Sequence, residues 1–145
     1  MNSREVIIGI VSKKIIPLIL LFALYVQFHG DFGPGGGFQA GAIFSAGFIL
    51  YSLIFGFDKL VAAVSPRLLE LISVTGVLLY IGVGFLCMIL GGEFLNYSVL
   101  GDTQVAGQHI GILLVEFGVG LTVCNVMISL FYSFANFNFG KKNND

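Results

Sequence analysis

The sequence predicts an all-α, polytopic integral membrane protein of four transmembrane helices with both termini in the cytoplasm. Three observations carry this reading. Apolar residues make up 57% of the chain and charged residues only 10%, with a mean hydropathy of +0.96. A soluble domain carries about 25% charged residues, and a chain this poor in charge cannot cover a water-facing surface. Four apolar runs are candidates for the roughly 20 residues that a bilayer crossing requires, three at full length and the first with an extension. All seven Lys and Arg residues fall in segments that four crossings would place on one side of the membrane. The runs are continuous rather than alternating, which argues against a β-barrel.

The elements follow in order as one membrane domain over 1–145, with spans at 10–28, 38–57, 70–92 and 109–134 and outer loops at 29–37 and 93–108. The first span centres on "IIPLILLFALYVQF", 15–28. That run is short, and the preceding "VIIGIVSKK" extends it if Lys13 and Lys14 snorkel to the interface. Pro17 is tolerated near a helix start and kinks a helix elsewhere. The second and third spans contain no charge, and the fourth contains one, Glu116. Arg4, Lys13 and Lys14 precede span one, Lys59 and Arg67 lie between spans two and three, and Lys141 and Lys142 follow span four. The loops 29–37 and 93–108 have no basic residue, so the positive-inside rule places them outside. The tail "NFNFGKKNND" reads as polar and frayed.

Composition also excludes classes of function. A net charge of −1 leaves no footprint for nucleic acid. Cys87 and Cys124 both sit inside apolar runs, without a C-x-x-C pair, so no disulfide framework is indicated. No cleavage site for a signal peptide follows the first run. No Ser/His/Asp or Cys/His grouping points to covalent catalysis, and no cofactor is implied.

Lipid offers no hydrophobic reward for helix association, so small residues that permit close approach must supply it. Span two carries Gly41, Ser45, Ser52 and Gly56 within about 60° of one another. Span three carries Ser73, Gly76, Gly84, Cys87 and Gly91, and span four Gly111, Gly118, Thr122, Asn125 and Ser129. Glu116 sits roughly 180° from Asn125 at about 100° per residue. A helix with two non-lipid faces suggests a chain embedded in a larger assembly, because three other helices would hardly surround it.

Glu116 is the leading candidate for chemistry, since an ionisable group inside a span is costly and usually faces a bundle interior or a water path. It serves either as a proton or cation relay or as a structural acid bonded to a neighbouring helix. His29, Asp31 and His109 can be imagined as a metal site, but their spacing is no known ligand pattern, and no metal is predicted. Asp31, Glu93 and Asp102 form either a cation-concentrating rim or the residue of positive-inside sorting. The run "FHGDFGPGGGFQAG", 28–41, lacks the Lys-Ser/Thr ending and preceding strand of a phosphate loop. It is an outer turn in which Pro34 biases Gly33 away from helix. It is expected to pack against 93–108 or against a partner subunit.

Two stretches together resemble a known family. "HGDFGPGGGFQAG" (29–41), followed by "AIFSAGFILYSLIFG", and "GQHIGILLVEFGVGLTV" (107–123) are similar to the B subunit of the multisubunit Na+/H+ antiporters of the multiple-resistance-and-pH type. The likeness spans roughly 14–134. Pro34, Gly35, Gly36, Gly37 and Phe38 match the first motif, which also takes in His29 and Asp31. Gly107, Gln108, His109 and Glu116 match the second. Related domains often place Gly-His shortly before the Pro-Gly-Gly-Gly, where this chain has His29-Gly30.

The resemblance implies one subunit of a hetero-oligomeric complex in the cell membrane that exchanges Na+, in some members K+ or Li+, for protons. Its partners would be the other antiporter subunits, the bilayer, monovalent cations and protons. The same domain type occurs in membrane-bound hydrogenase complexes, so a structural or coupling subunit of such a complex is the alternative. A stand-alone four-helix transporter is a further one, although exporters of that size carry their membrane glutamate in the first span, where this chain has none.

Overall fold

A computed structural model gives the fold. It describes residues 3–30 and 35–142, with side chains over 5–30 and 35–136. The elements are α1 (Ser3–Phe28), α2 (Gly37–Phe55), α3 (Phe57–Ala63), α4 (Pro66–Ile89), a 3-10 turn at Tyr97–Leu100, and α5 (Gln104–Lys142), with no strand among the described residues. Among these residues four helices, α1, α2, α4 and α5, are long and apolar enough to cross a membrane.

α5 is the central element. It packs along both α2 and α4, while α1 packs mainly on α2 and reaches α5 near the end of α1. α2 and α5 run parallel: Gly37 meets α5 at Glu116, and Gly41 meets it one turn later at Gly120. α4 runs antiparallel to α5, with Gly76 against Gly118 and Thr122 and Val64, just before α4, bonded to Tyr132. The predicted small-residue faces make these approaches. A Cβ on Gly76 would lie 2.6 Å from the Gly118 carbonyl oxygen, and one on Gly118 would lie 2.7 Å from the Gly76 carbonyl oxygen. Two backbones this close leave no room for any side chain, which is how helices gain contact in lipid.

Polar groups in the spans are satisfied locally. Thr122 Oγ1 donates to the Gly118 carbonyl (2.9 Å), Asn125 Nδ2 to the Leu121 carbonyl (2.6 Å) and Ser45 Oγ to the Ala42 carbonyl (2.7 Å). Each bonds back one turn along its own helix. The small residues therefore bring the helices together, and these polar groups do not cross-link them.

Several boundaries differ from the sequence reading. Pro17 lies well inside α1, because the helix begins at Ser3. α1 continues through it, and the Lys13 ammonium stands 6.0 Å from the centroid of the Phe55 ring at the end of α2. α4 starts at Pro66, four residues before the predicted span. Ser65 caps it by accepting from the Leu68 N–H (3.3 Å), and Pro66 fills the first helical position, where its missing N–H costs nothing. α5 starts five residues early and extends through the predicted tail to Lys142.

The connection between α2 and α4, read as loop, contains α3. α2 stops because Gly56 takes φ 105°, a backbone state that residues with a Cβ resist. Phe57, Leu60 and Val61 then follow helical spacing, and Leu60 is fully buried with Leu69, Ile128 and Tyr132. The Tyr132 hydroxyl donates to the Val64 carbonyl at 2.7 Å, and the Phe57 and Tyr132 rings meet edge to face at 5.1 Å. Tyr132→Phe keeps the ring packing and orphans that carbonyl. It is expected to destabilise the purified protein by about 1 kcal/mol, seen as a lower thermal midpoint in detergent.

Candidate functional site

Glu116 stands twelve residues into α5, level with the first residue of α2. The two flanks of the glycine turn close around it. At the end of α1, the His29 and Gly36 N–H groups both donate to the Val26 carbonyl, at 3.4 and 3.2 Å. One carbonyl thus ties together the chain on either side of 31–34. Gly36, the residue before α2, takes φ 122°, which again favours glycine.

Glu116 then meets three glycines. A Cβ on Gly30 would collide with the carboxylate, coming 2.8 Å from Oε1 and closer still to Oε2. A Cβ on Gly36 would come 2.9 Å from Oε1. A Cβ on Gly37 would land on the backbone carbonyl oxygen of Glu116 itself. The carboxylate is therefore wrapped by backbone on two sides and lies against the start of a 19-residue helix, whose N-terminal dipole complements negative charge.

One turn further along α5, the side chain of Gln27, only 8% exposed, points its Oε1 at Gly120, 2.6 Å from where a Cβ would be. Beyond it lies a cavity of about 380 Å3 between α1, α2, α4 and α5, lined by apolar groups such as Leu24, Phe44, Phe48 and Leu68 and by the polar Gln27 and Asn125. Asn125 is 5% exposed. Both non-lipid faces of α5 thus find cover within this chain: the glycine flanks and Gln27 near Glu116, and the cavity wall at Asn125. The rest of α5 is less covered: Ile110, Leu113, Phe117, Val126 and Leu130 remain exposed on it.

Of the first motif, Gly36 and Gly37 reach Glu116, and Gly35 packs on Val26 and Gly30. Phe38 is 60% exposed and turned outward. The His29 ring stacks on Tyr25, centroids 4.8 Å apart. Asp31 and Pro34 lie outside the described residues. Of the second motif, Gly107 packs under the Tyr97 carbonyl, and Gln108 Nε2 donates to Ser98 Oγ (3.2 Å). These two hold the 93–103 connection against the start of α5. His109 lies beside them, in a recess of about 390 Å3 with Ser98 and Gln104. The Tyr97 ring rests on Gly111, and burial first, then Tyr80 and Cys87, pushes its phenol above the usual value.

The glycine turn was expected to meet 93–108 or a partner. Its described flanks meet α5 at Glu116, through Gly30, Gly36 and Gly37, and 31–34 lie outside the described residues. α5 begins twelve residues, about 18 Å, before Glu116, and carries the 93–103 connection at that end. Gln27, Gly30 and Gly120 were not singled out from the sequence. Gln27 did leave a signal, as the lone polar residue within "IIPLILLFALYVQF".

Comparison with known proteins places this geometry in a family. Residues 7–129 match the model of a domain related to the MnhB subunit of the Na+/H+ antiporter. Proteins of Staphylococcus aureus strains Newman, USA300 and COL that carry the name antiporter subunit mnhB2 are 31% identical over 136 residues, covering 92% of this chain and 96% of theirs. The family is one of transporter subunits rather than a class of enzymes. With four helices able to cross a bilayer and a match over most of its length, the chain belongs to the MnhB family of Na+/H+ antiporter subunits, as a multi-pass protein of the plasma membrane.

Proposed function

We propose that the chain is one subunit of a hetero-oligomeric complex that exchanges Na+, or another monovalent cation, for protons, with both termini in the cytoplasm and no covalent catalysis of its own. Glu116 is the ion-path residue. The observation that carries this reading is an ionisable carboxylate inside a span, wrapped by the backbone of Gly30 and Gly36, with Gln27 one turn further on at the edge of a cavity that Asn125 also lines. Membrane carboxylates in such settings mark proton and ion routes. The absence of Lys and Arg from 29–37 and 93–108 supports the orientation.

Purification of the tagged chain in mild detergent tests the assembly. Larger membrane subunits should co-purify with it in fixed proportion. Recovery as a homodimer free of other subunits would instead favour a stand-alone small transporter. Large subunits of hydrogenase type in the preparation would favour a coupling role in that kind of complex.

A further inference from the structure

The glycines around Glu116 are of two kinds. Gly37 faces the backbone of Glu116, which cannot move aside without separating α2 from α5. The atoms nearest a Cβ at Gly30 or Gly36 are instead those of the Glu116 carboxyl group, with Gln39 Oε1 next at Gly36, 3.6 Å away. A methyl group at either place would meet atoms that can swing away, so the fold can survive while the carboxylate is displaced. Gly36 adds a backbone constraint through its φ of 122°. Gly30 has none and is the cleaner probe.

We propose that Gly30 and Gly36 are positioning residues for Glu116: the side-chain-free faces they present from opposite flanks of the turn form a cradle that sets where the carboxylate sits. The cradle is matched to the length of a glutamate. A side chain one methylene shorter withdraws its carboxyl toward α5 and leaves room for a Cβ at Gly30. Steric complementarity of this kind predicts a compensating pair of changes, which a merely flexible turn does not. The tie of the Gly36 and His29 N–H groups to the Val26 carbonyl keeps both flanks in register with α1. Gln27, next in sequence, borders the site one turn further on. This inference rests on the ion-path reading for its consequence in transport, but not for its geometry.

The test uses the whole complex in everted membrane vesicles and two readouts. The first is the rate at which the hydrophobic reagent dicyclohexylcarbodiimide modifies the carboxyl at position 116, mapped by peptide mass. The second is antiport. Gly30→Ala should raise the modification rate severalfold. It should lower antiport by about tenfold or more, since misplacing a reacting group by about 1 Å can cost up to about a hundredfold. Adding Glu116→Asp to Gly30→Ala should return both readouts toward wild type.

Wild-type modification in Gly30→Ala, or a double variant no better than the single one, would overturn the cradle. If Gly30→Ala fails to accumulate, recovery of the protein by Glu116→Asp supports the cradle and continued absence overturns it. Modification and rescue decide the cradle alone. If Gly30→Ala raises modification while antiport stays at wild type, the cradle stands and the ion-path reading falls.

Discussion

Gly37→Ala is expected to remove most of the protein from the membrane. A Cβ there would fall on the Glu116 carbonyl oxygen, 2.7 Å from its carbonyl carbon and 3.0 Å from its Cα. Every atom in the way is backbone of a continuous helix. Relief requires α2 to move off α5, and the same contact line continues at Gly41, where a Cβ would come 2.5 Å from the Gly120 carbonyl oxygen. Overpacking of a well-packed site costs about 1–3 kcal/mol and occasionally more, against a total stability of about 5–15 kcal/mol. The level of folded chain in membranes should fall severalfold. Gly82→Ala is the control, because a Cβ at Gly82 meets nothing within 4 Å; it should accumulate normally. Equal levels of the two variants would show that the α2–α5 contact is looser than the geometry states.

Much of this fold is written in the sequence. A bilayer crossing imposes a length and a polarity that leave few other readings for runs such as 38–57, and glycines at helical spacing mark where helices touch. Gly41, Gly76 and Gly118 proved to be helix contacts and Gly111 a seat for Tyr97, whereas Gly56 and Gly91, on the same predicted faces, have nothing within 4 Å of a Cβ. Helix ends were less legible, although their chemistry was present. Ser65-Pro66 is a cap followed by a first-turn proline, and Thr103 offers its Oγ1 to the Ala106 N–H at 3.2 Å. Both signals lie outside the apolar runs by which the spans were drawn. α3 was missed because seven residues are too few for periodicity to stand out.

The site itself was half legible. Glu116 and the glycine motif were each conspicuous, but nothing in the sequence joins them across eighty positions. Their meeting depends on the register of α2 on α5, which Gly37 and Gly41 set through backbone contact. Register of this kind follows from three-dimensional packing of small residues, and one-dimensional spacing does not report it. The same register explains why Phe38, though part of the motif, faces outward: it follows Gly37 by one residue, about 100° around the helix.

Glu116→Gln carries the second large effect. Gln keeps the length and shape of the side chain, so it should still fill the space between Gly30 and Gly36, and the complex should assemble. What it lacks is the charge and the titratable proton. A positioned acid or base contributes about 100- to 10,000-fold to a proton transfer, so loss of antiport by at least about tenfold is expected even where another route leaks. Glu116→Ala differs in kind. It empties the cradle and leaves the backbone of two glycines facing a void, so it should weaken assembly as well as transport.

The most direct measurement is therefore Na+-dependent antiport in everted vesicles carrying wild-type or Glu116→Gln complex, at matched amounts of assembled subunits. The account predicts a deep loss of antiport with assembly intact. Wild-type antiport from the Gln variant would contradict it, and would leave Glu116 as a structural acid in a scaffold subunit.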